Sequence, residues 1–247
     1  MHRFFIEPED IEGNIGRIKG SDAHHLNKVL RLNPGDEIML CNGRGLDFRS
    51  VIQTVEKEEI LVEILDSRPN ATEPNVRVSL FQGIPKSSKM ELIIQKCVEL
   101  GIYELIPIQT LRCVAKINEG KDSEKKTLRW QRIAEEAAKQ SRRGIIPMVS
   151  SPISFNQAVM YSKADVKLIF WEEENTKSLR KILEELNFKP ETVAMIIGPE
   201  GGLEKSEVEL AEKHGWISVS LGSRILRTET AGMAALTAIM YHLEELE

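Results

Sequence analysis

The chain has 247 residues, 29% of them charged and 41% hydrophobic, the balance of a folded protein with room for one large domain or two ordinary ones. Its longest apolar runs, VAMII and KLIFW, are far too short to span a bilayer, and the opening MHRFFIEPED meets acids before any apolar stretch, so neither a membrane span nor a signal peptide is expected. Three cysteines, Cys41, Cys97 and Cys113, are odd in number and widely spaced, which argues against a disulfide framework or a zinc site and for a reducing, cytoplasmic setting.

The net charge of −5 speaks against nucleic acid until its distribution is read. Residues 1–72 sum to −4, residues 75–150 to +6 and residues 151–247 to −6. A basic middle block in an acidic chain can form a phosphate-binding face. A solvated helix rich in lysine explains the same excess.

In chain order, the first seventy residues read as short strands. NIGRIKG, EIMLCNG, DFRSVIQTV and ILVEILDS have β-type composition, and Asn33-Pro34-Gly35-Asp36 and Asn42-Gly43-Arg44-Gly45 are turn signals. One helix, AHHLNKVLRL, interrupts them, with Ser21 or Asp22 as its cap. This predicts a small β-barrel-like domain. Residues 66–75, polar and carrying Pro69 and Pro74, read as a linker, with domains at 1–70 and 71–247. From Val76 the rhythm changes to strand VRVSLFQG, helix KMELIIQKCVEL begun by Ser87-Ser88 and ended by Gly101, strand IYELIPIQT, and a long basic helix over residues 123–141. IIPMVS, VKLIFW, VAMIIG and ISVSL supply further strands with helical segments between them. Alternating β and α predicts an α/β domain with a largely parallel sheet and helices on both faces. Met90, Met233 and Met240 sit at helical spacing among apolar neighbours and read as core. The last helix, AGMAALTAIMYHL, is apolar over most of its surface and suits burial on more than one side.

Two glycine loops follow apolar strands near the C-terminus, where open α/β sheets hold ligands. The first is Gly198-Pro199-Glu200-Gly201-Gly202 and the second runs from Leu221 to Glu229. Lys205-Ser206 follows the first loop, but Leu203 stands where a Walker loop needs its second glycine, and the glycine spacing does not fit the dinucleotide fingerprint either. Glycines permit positive φ and close backbone approach to a ligand. Glu200 among exposed amides is a poor neighbour for phosphate and suits a neutral or cationic group, such as the sulfonium of S-adenosylmethionine.

IIGPEGGLEKSEVE followed by SLGSRILRTETA resembles the C-terminal signature of the SPOUT methyltransferases. RFFIEP, HHLNKVLRLNPGDEI, KSSKMELIIQKCVELGI and WQRIAEEAAKQSRRGIIP fall in the order seen in its rRNA-modifying members, so the resemblance spans nearly the whole chain. It implies a PUA-like N-terminal domain joined to an α/β domain with a C-terminal trefoil knot. It also implies a cytoplasmic homodimer that moves a methyl from S-adenosylmethionine to N3 of a uridine in 16S rRNA of the small ribosomal subunit. By the same resemblance the cofactor would lie against Ile196, Ile197, Gly198, Pro199, Glu200, Gly201, Gly202, Leu221, Gly222, Ile225 and Leu226, with Phe170 or Trp171 packing on it.

The imide proton of uridine N3 has to leave, which calls for an acid/base group or cationic stabilisation of the base. Arg227 is expected to stabilise the anion, and Glu229 to hold Arg227 or accept the proton; a structural ion pair at a helix start is the bland reading of both. RNA contacts are expected from Arg3, His25, Arg31, Lys86, Lys89, Arg142 and Arg143, each of which could instead be a simple surface charge. His24-His25 is not expected to bind metal, because adjacent helix positions diverge. The competing function, from a different class, is a non-catalytic RNA-binding assembly factor on the same fold.

Overall fold

The computed structural model describes residues 1–114 and 121–246, so Lys116 of the basic block lies outside the described residues. The chain forms two compact units, Met1–Glu73 with Ala138–Ile146, and Pro74–Ala137 with Pro147–Glu247.

The first unit contains β1 (His2–Phe5), β2 (Ile11–Glu12), β3 (Ile15–Lys19), α1 (Gly20–His24), β4 (Glu37–Cys41), β5 (Leu46–Val55) and β6 (Glu59–Pro69). They make one six-stranded sheet in the order β1-β4-β5-β6-β3-β2. Only β1 and β4 pair in parallel; the other neighbours are antiparallel. The four strands read from composition are all present, while β1 and the two-residue β2 carry too little pattern to be read. The β5–β6 ladder shifts register after Arg49 and after Ile52, irregularities that bend and twist a long hairpin. Phe4, Ile18, Leu40, Ile60 and Val62 project from the strands into one core, which Ala23 and Leu26 close from the helical segment.

That segment differs from the expectation at its start and its winding. Neither Ser21 nor Asp22 caps it: α1 begins at Gly20, Lys19 is the N-cap residue, and no side chain caps the turn. Beyond α1 the helix widens to a π-turn over His25–Leu30 and stops at Arg31, whose φ of 54° is left-handed.

The first unit's N-terminal segment runs to Glu73, three residues past the expected 70/71 boundary, and Ala138–Ile146 joins the same unit. One largely covered carboxylate, Glu73, 13% exposed, holds that segment to the first unit. Glu73 accepts hydrogen bonds from the Gly144 and Ile145 amides at 2.7 and 2.9 Å and pairs with the Arg143 guanidinium at 2.7 Å. Lys139 adds an ion pair to Asp22 at 3.0 Å. Contacts of such sequence separation leave no local signature.

The second unit contains β7 (Arg77–Gly83), α2 (Lys89–Glu99), β8 (Glu104–Gln109), most of α3 (Lys121–Gln140), β9 (Met148–Val149), β10 (Ile153–Ser154), α4 (Phe155–Tyr161) and β11 (Val166–Phe170). It continues with α5 (Leu179–Glu184), β12 (Thr192–Ile197), α6 (Lys205–Lys213), β13 (Ile217–Val219) and α7 (Thr228–His242). The sheet runs β10-β8-β7-β12-β11-β13, with β9 also on β8, and every pairing is parallel. Strands buried on both faces need continuous apolar runs, which VAMII and VKLIF supply.

Strand alternation assigns the faces. Phe81, Ala194 and Ile196 pack with Phe155 and Val159 of α4 and Val208 and Ala211 of α6. On the opposite face Leu80, Gln82 and Ile197 meet α7, close enough that Gly232 lies within 4.0 Å of all three as measured from a Cβ position. Met90 and Met240 are fully buried as expected, whereas Met233 is half-buried. Gly101 ends α2 at φ 93°.

Candidate functional site

The carboxyl ends of β11, β12 and β13 surround a cavity of about 890 Å³. Three segments make most of its wall, residues 170–178 after β11, the glycine loop 198–202 after β12, and residues 220–228 leading into α7, and Lys89 at the start of α2 also lines it.

The first glycine loop is a tight turn closed by the Gly202 amide on the Pro199 carbonyl at 3.0 Å. Gly202 has φ 70°, and a Cβ there would run into the Glu172 carboxylate. Gly83, at the end of β7, lets the loop settle on the sheet: a Cβ at this position would stand 2.6 Å from Pro199 N and Cδ. The far side of the loop is braced by Arg112, which donates to the Gly201 carbonyl at 3.0 Å and to Glu204 at 2.9 Å. Glu204 and Glu207 form a capping box that starts α6, and the second oxygen of Glu207 accepts from the Leu111 amide at 2.9 Å.

The second loop turns at Gly222, φ 107°, and enters α7 at Thr228. The Thr228 hydroxyl donates to the Gly198 carbonyl at 2.6 Å and accepts from Gln82 Nε2 at 2.9 Å. One buried hydroxyl therefore ties the second loop to the first and both to β7. Neither Thr228 nor Gln82 was picked out from the sequence. The sequence signal that could have found Thr228 is its place as the first helical residue after the loop.

Residues 171–178 also escaped the sequence reading beyond Phe170 and Trp171. Glu174 organises them by accepting from Thr176 Oγ1 and the Thr176 and Lys177 amides at 2.6, 2.8 and 3.1 Å. The bond from the Thr176 hydroxyl, against a smaller opposing effect of burial, holds the Glu174 carboxyl down at about 2.

Of the residues expected to hold a cofactor, Phe170, Ile197, Gly198, Pro199, Glu200, Gly201, Gly202, Leu221, Gly222, Ile225 and Leu226 all line the cavity. Ile196 does not: strand alternation turns its side chain to the α4–α6 face, where it is wholly buried. Ile225 is 88% exposed, an apolar side chain standing free on the loop.

Arg227 lines the cavity, is exposed, and has no ion-pair partner among the described residues. Glu229 does not hold it. Glu229 Oε2 instead lies 3.4 Å from Lys89 Nζ, because the first turn of α7 points that side chain toward the start of α2. Lys89 in turn pairs with Glu200 at 3.0 Å. Burial pushes Glu200 up, but its own amide, Lys89 and the Lys86 amide outweigh it, so its carboxyl sits below the usual range. The Lys89 ammonium is raised, chiefly by its hydrogen bond to Glu200.

The other expected RNA contacts divide. His25, Arg31, Lys86 and Arg142 are exposed. Arg3 is held by Asp47 with both side chains largely covered, 13% and 7% exposed. Arg143 is only 4% exposed and serves Glu73. These two guanidiniums are structural charges of the first unit, a correction that sequence spacing could not supply. Among the described residues there is no metal-holding cluster of three or more His, Cys, Asp or Glu, and no helix is long and apolar enough to cross a membrane.

Residues 72–240 match the RNA methyltransferase domain family and residues 18–65 the RNA methyltransferase PUA domain. Ribosomal RNA small subunit methyltransferase E from Bacillus subtilis is 36% identical, over 100% of this chain and 98% of its own length. The Synechocystis protein of the same name is 34% identical over 98% of this chain and 78% of its own. The crystal structure of ribosomal RNA small subunit methyltransferase E from Neisseria gonorrhoeae bound to S-adenosyl methionine superposes with a TM-score of 0.86 at 31% identity, covering 98% of this chain and 97% of that one. The resemblance carried by the two glycine loops thus extends through both units, and the chain belongs to the ribosomal RNA small subunit methyltransferase E family.

Proposed function

We propose that this protein transfers a methyl group from S-adenosylmethionine to N3 of a uridine in 16S rRNA of the small ribosomal subunit. The observation that carries the reading is the cavity at the strand ends, enclosed by two glycine loops that Thr228 joins. Its volume of about 890 Å³ lies in the range of small-molecule sites. Glu172 and Glu174 put carboxylates on the segment after β11, while Lys89, Arg224 and Arg227 line other parts of the wall and Lys89 pairs with Glu200, so the walls can meet both charges of a zwitterionic ligand. Trp171 also lines the cavity. When bound, the cofactor supplies a methyl carbon already activated by its sulfonium.

The chain's own residues position the acceptor and handle its proton. Arg227, exposed on the cavity rim, stabilises negative charge on the uridine carbonyls as N3 loses its proton. Glu229, the carboxylate expected to accept the proton, lies outside the cavity lining against Lys89, so it reaches the base only by leaving that ammonium. Rigid backbone around Gly198 and Gly222 orients the donor for in-line attack. His25, Arg31, Lys86 and Arg142 give salt-dependent phosphate contacts, and the PUA-like first unit binds the RNA.

The chain topology supports a trefoil knot in the C-terminal third. β12 lies between β7 and β11 although β11 precedes it, and after β13 at the sheet edge the chain returns to lay α7 against β7 and β12. The exposed face of α7, Thr230, Thr237 and Tyr241, the last 78% exposed, is the surface for a homodimer, and light scattering reads the mass. A cytoplasmic location fits a substrate in the ribosome.

The test is transfer of labelled methyl to small-subunit RNA, followed by nucleoside mass spectrometry. Label in N3-methyluridine is expected; label at another atom overturns the assignment of N3. Calorimetry with S-adenosylmethionine separates an enzyme from an RNA-binding assembly factor, which gives no heat. Arg227→Ala is expected to slow single-turnover transfer with cofactor affinity intact, and unchanged chemistry removes Arg227 from the site.

A further inference from the structure

We propose that Lys89 is a positioning residue that couples the two loops of the cofactor pocket by holding Glu200 of the first and Glu229 beyond the second with a single ammonium. The proposal rests on the cofactor reading above.

Lys89 opens α2, and its Nζ stands 3.0 Å from Glu200 Oε1 and 3.4 Å from Glu229 Oε2. The three side chains are 33%, 25% and 12% exposed, so each charge is partly shielded from water. Glu200 has a second anchor, because its two oxygens also accept from the Lys86 amide at 3.1 and 3.2 Å. Glu229 has no such reserve. Its Oε2 is buried without a hydrogen-bond partner, and among the described residues Lys89 is the cation within ion-pair range. Removing the ammonium leaves a largely covered carboxylate, its Oε2 buried, without its cation at the first turn of α7, one residue from Thr228 and two from Arg227. The helix start has to move to rehydrate it, and the second loop moves with it.

The same geometry argues against Lys89 as an RNA contact. One ammonium between two carboxylates makes a cluster of net charge −1, which repels phosphate. A lysine serving RNA would have to abandon both partners.

The test uses the full-length protein and four forms: the parent, Lys89→Met, Lys89→Arg, and Lys89→Met combined with Glu229→Gln. Lys89→Met keeps the aliphatic stem and removes the charge. Calorimetry with S-adenosylmethionine is expected to show affinity about tenfold weaker, a loss of about 1.4 kcal/mol. Lys89→Arg restores most of it. The double variant also restores it, since no carboxylate is left without its cation, whereas loss of a direct contact from Lys89, which lines the cavity, to the ligand would not be rescued. Binding of small-subunit RNA should keep the salt slope of the parent. If Lys89→Met lowers that slope by about 0.7–0.9, the value for one phosphate contact, and leaves cofactor affinity unchanged, Lys89 is an RNA ligand and the proposal fails. If the parent gives no heat with the cofactor, the functional reading fails instead. The coupling is then read from thermal unfolding of Lys89→Met, Glu229→Gln and the double variant. Effects that add to within twofold in the unfolding equilibrium overturn it, as does failure of Lys89→Met to fold when the double variant also fails.

Discussion

Replacing Thr228 by valine tests whether one hydroxyl holds the two pocket loops together. Valine matches threonine in shape, so the core contacts of this residue, which is 5% exposed, persist while the hydroxyl is lost. Two hydrogen bonds vanish, to the Gly198 carbonyl at 2.6 Å and from Gln82 Nε2 at 2.9 Å. Gln82 Nε2 keeps its bond to the Gly83 carbonyl at 3.0 Å, so its loss is partial, but the Gly198 carbonyl is left facing a methyl group. A buried polar group stripped of its partner costs about 1–3 kcal/mol, and a partly compensated bond about 0.5–1.5 kcal/mol. The sum, about 1.5–4.5 kcal/mol, corresponds to a Tm lowered by roughly 3–18 °C for a chain of this size. Differential scanning calorimetry reads the stability and titration calorimetry the affinity for S-adenosylmethionine, which should fall with it. Thr228→Ser, which keeps the hydroxyl, should recover most of both. A valine variant within about 0.5 kcal/mol of the parent, the range of an ordinary surface substitution, would refute the bracing role.

Gly83→Ala should weaken cofactor binding more than it lowers Tm, because the added Cβ lies 2.6 Å from Pro199 N and the glycine loop must lift from the sheet; calorimetry giving parental affinity would show the loop to be compliant. Glu174 contributes pH-dependent stability. Its folded carboxyl titrates at about 2 against an ordinary 4.5, so its contribution is present above about pH 4.5 and is lost as pH falls toward 2. The Tm difference between the parent and Glu174→Gln should accordingly shrink on acidification, and a difference independent of pH would contradict the assignment. Arg143→Ala leaves Glu73, largely covered at 13% exposed, without its cation but with the Gly144 and Ile145 amides, and should destabilise the first unit by about 1–3 kcal/mol, whereas the neighbouring Arg142→Ala should leave Tm unchanged and weaken RNA binding. Equal effects of the two on RNA affinity, with no loss of stability in either, would return Arg143 to the RNA surface.

Sequence alone determined the parts of this protein that rest on local chemistry. Apolar runs such as VAMII mark strands buried on both faces, because a parallel strand has no solvent side. One glycine in each loop, Gly202 and Gly222, marks where the backbone turns at positive φ. Those signals, with the family resemblance they carry, located most of the cavity wall. The tertiary structure decided what depends on charge and hydrogen-bond partners far apart in the chain. Arg3, Lys89 and Arg143 are alike in sequence to any surface cation, and only folding commits them to Asp47, to Glu200 and Glu229, and to Glu73. Strand register sent Ile196 to one face and Ile197 to the other, a distinction of one residue that composition cannot make. Thr228 and Gln82 are 146 residues apart, and their bond exists because a parallel sheet and its last helix bring them together. Local pattern reports which backbone a residue prefers; the partner that fixes its role is supplied by long-range packing.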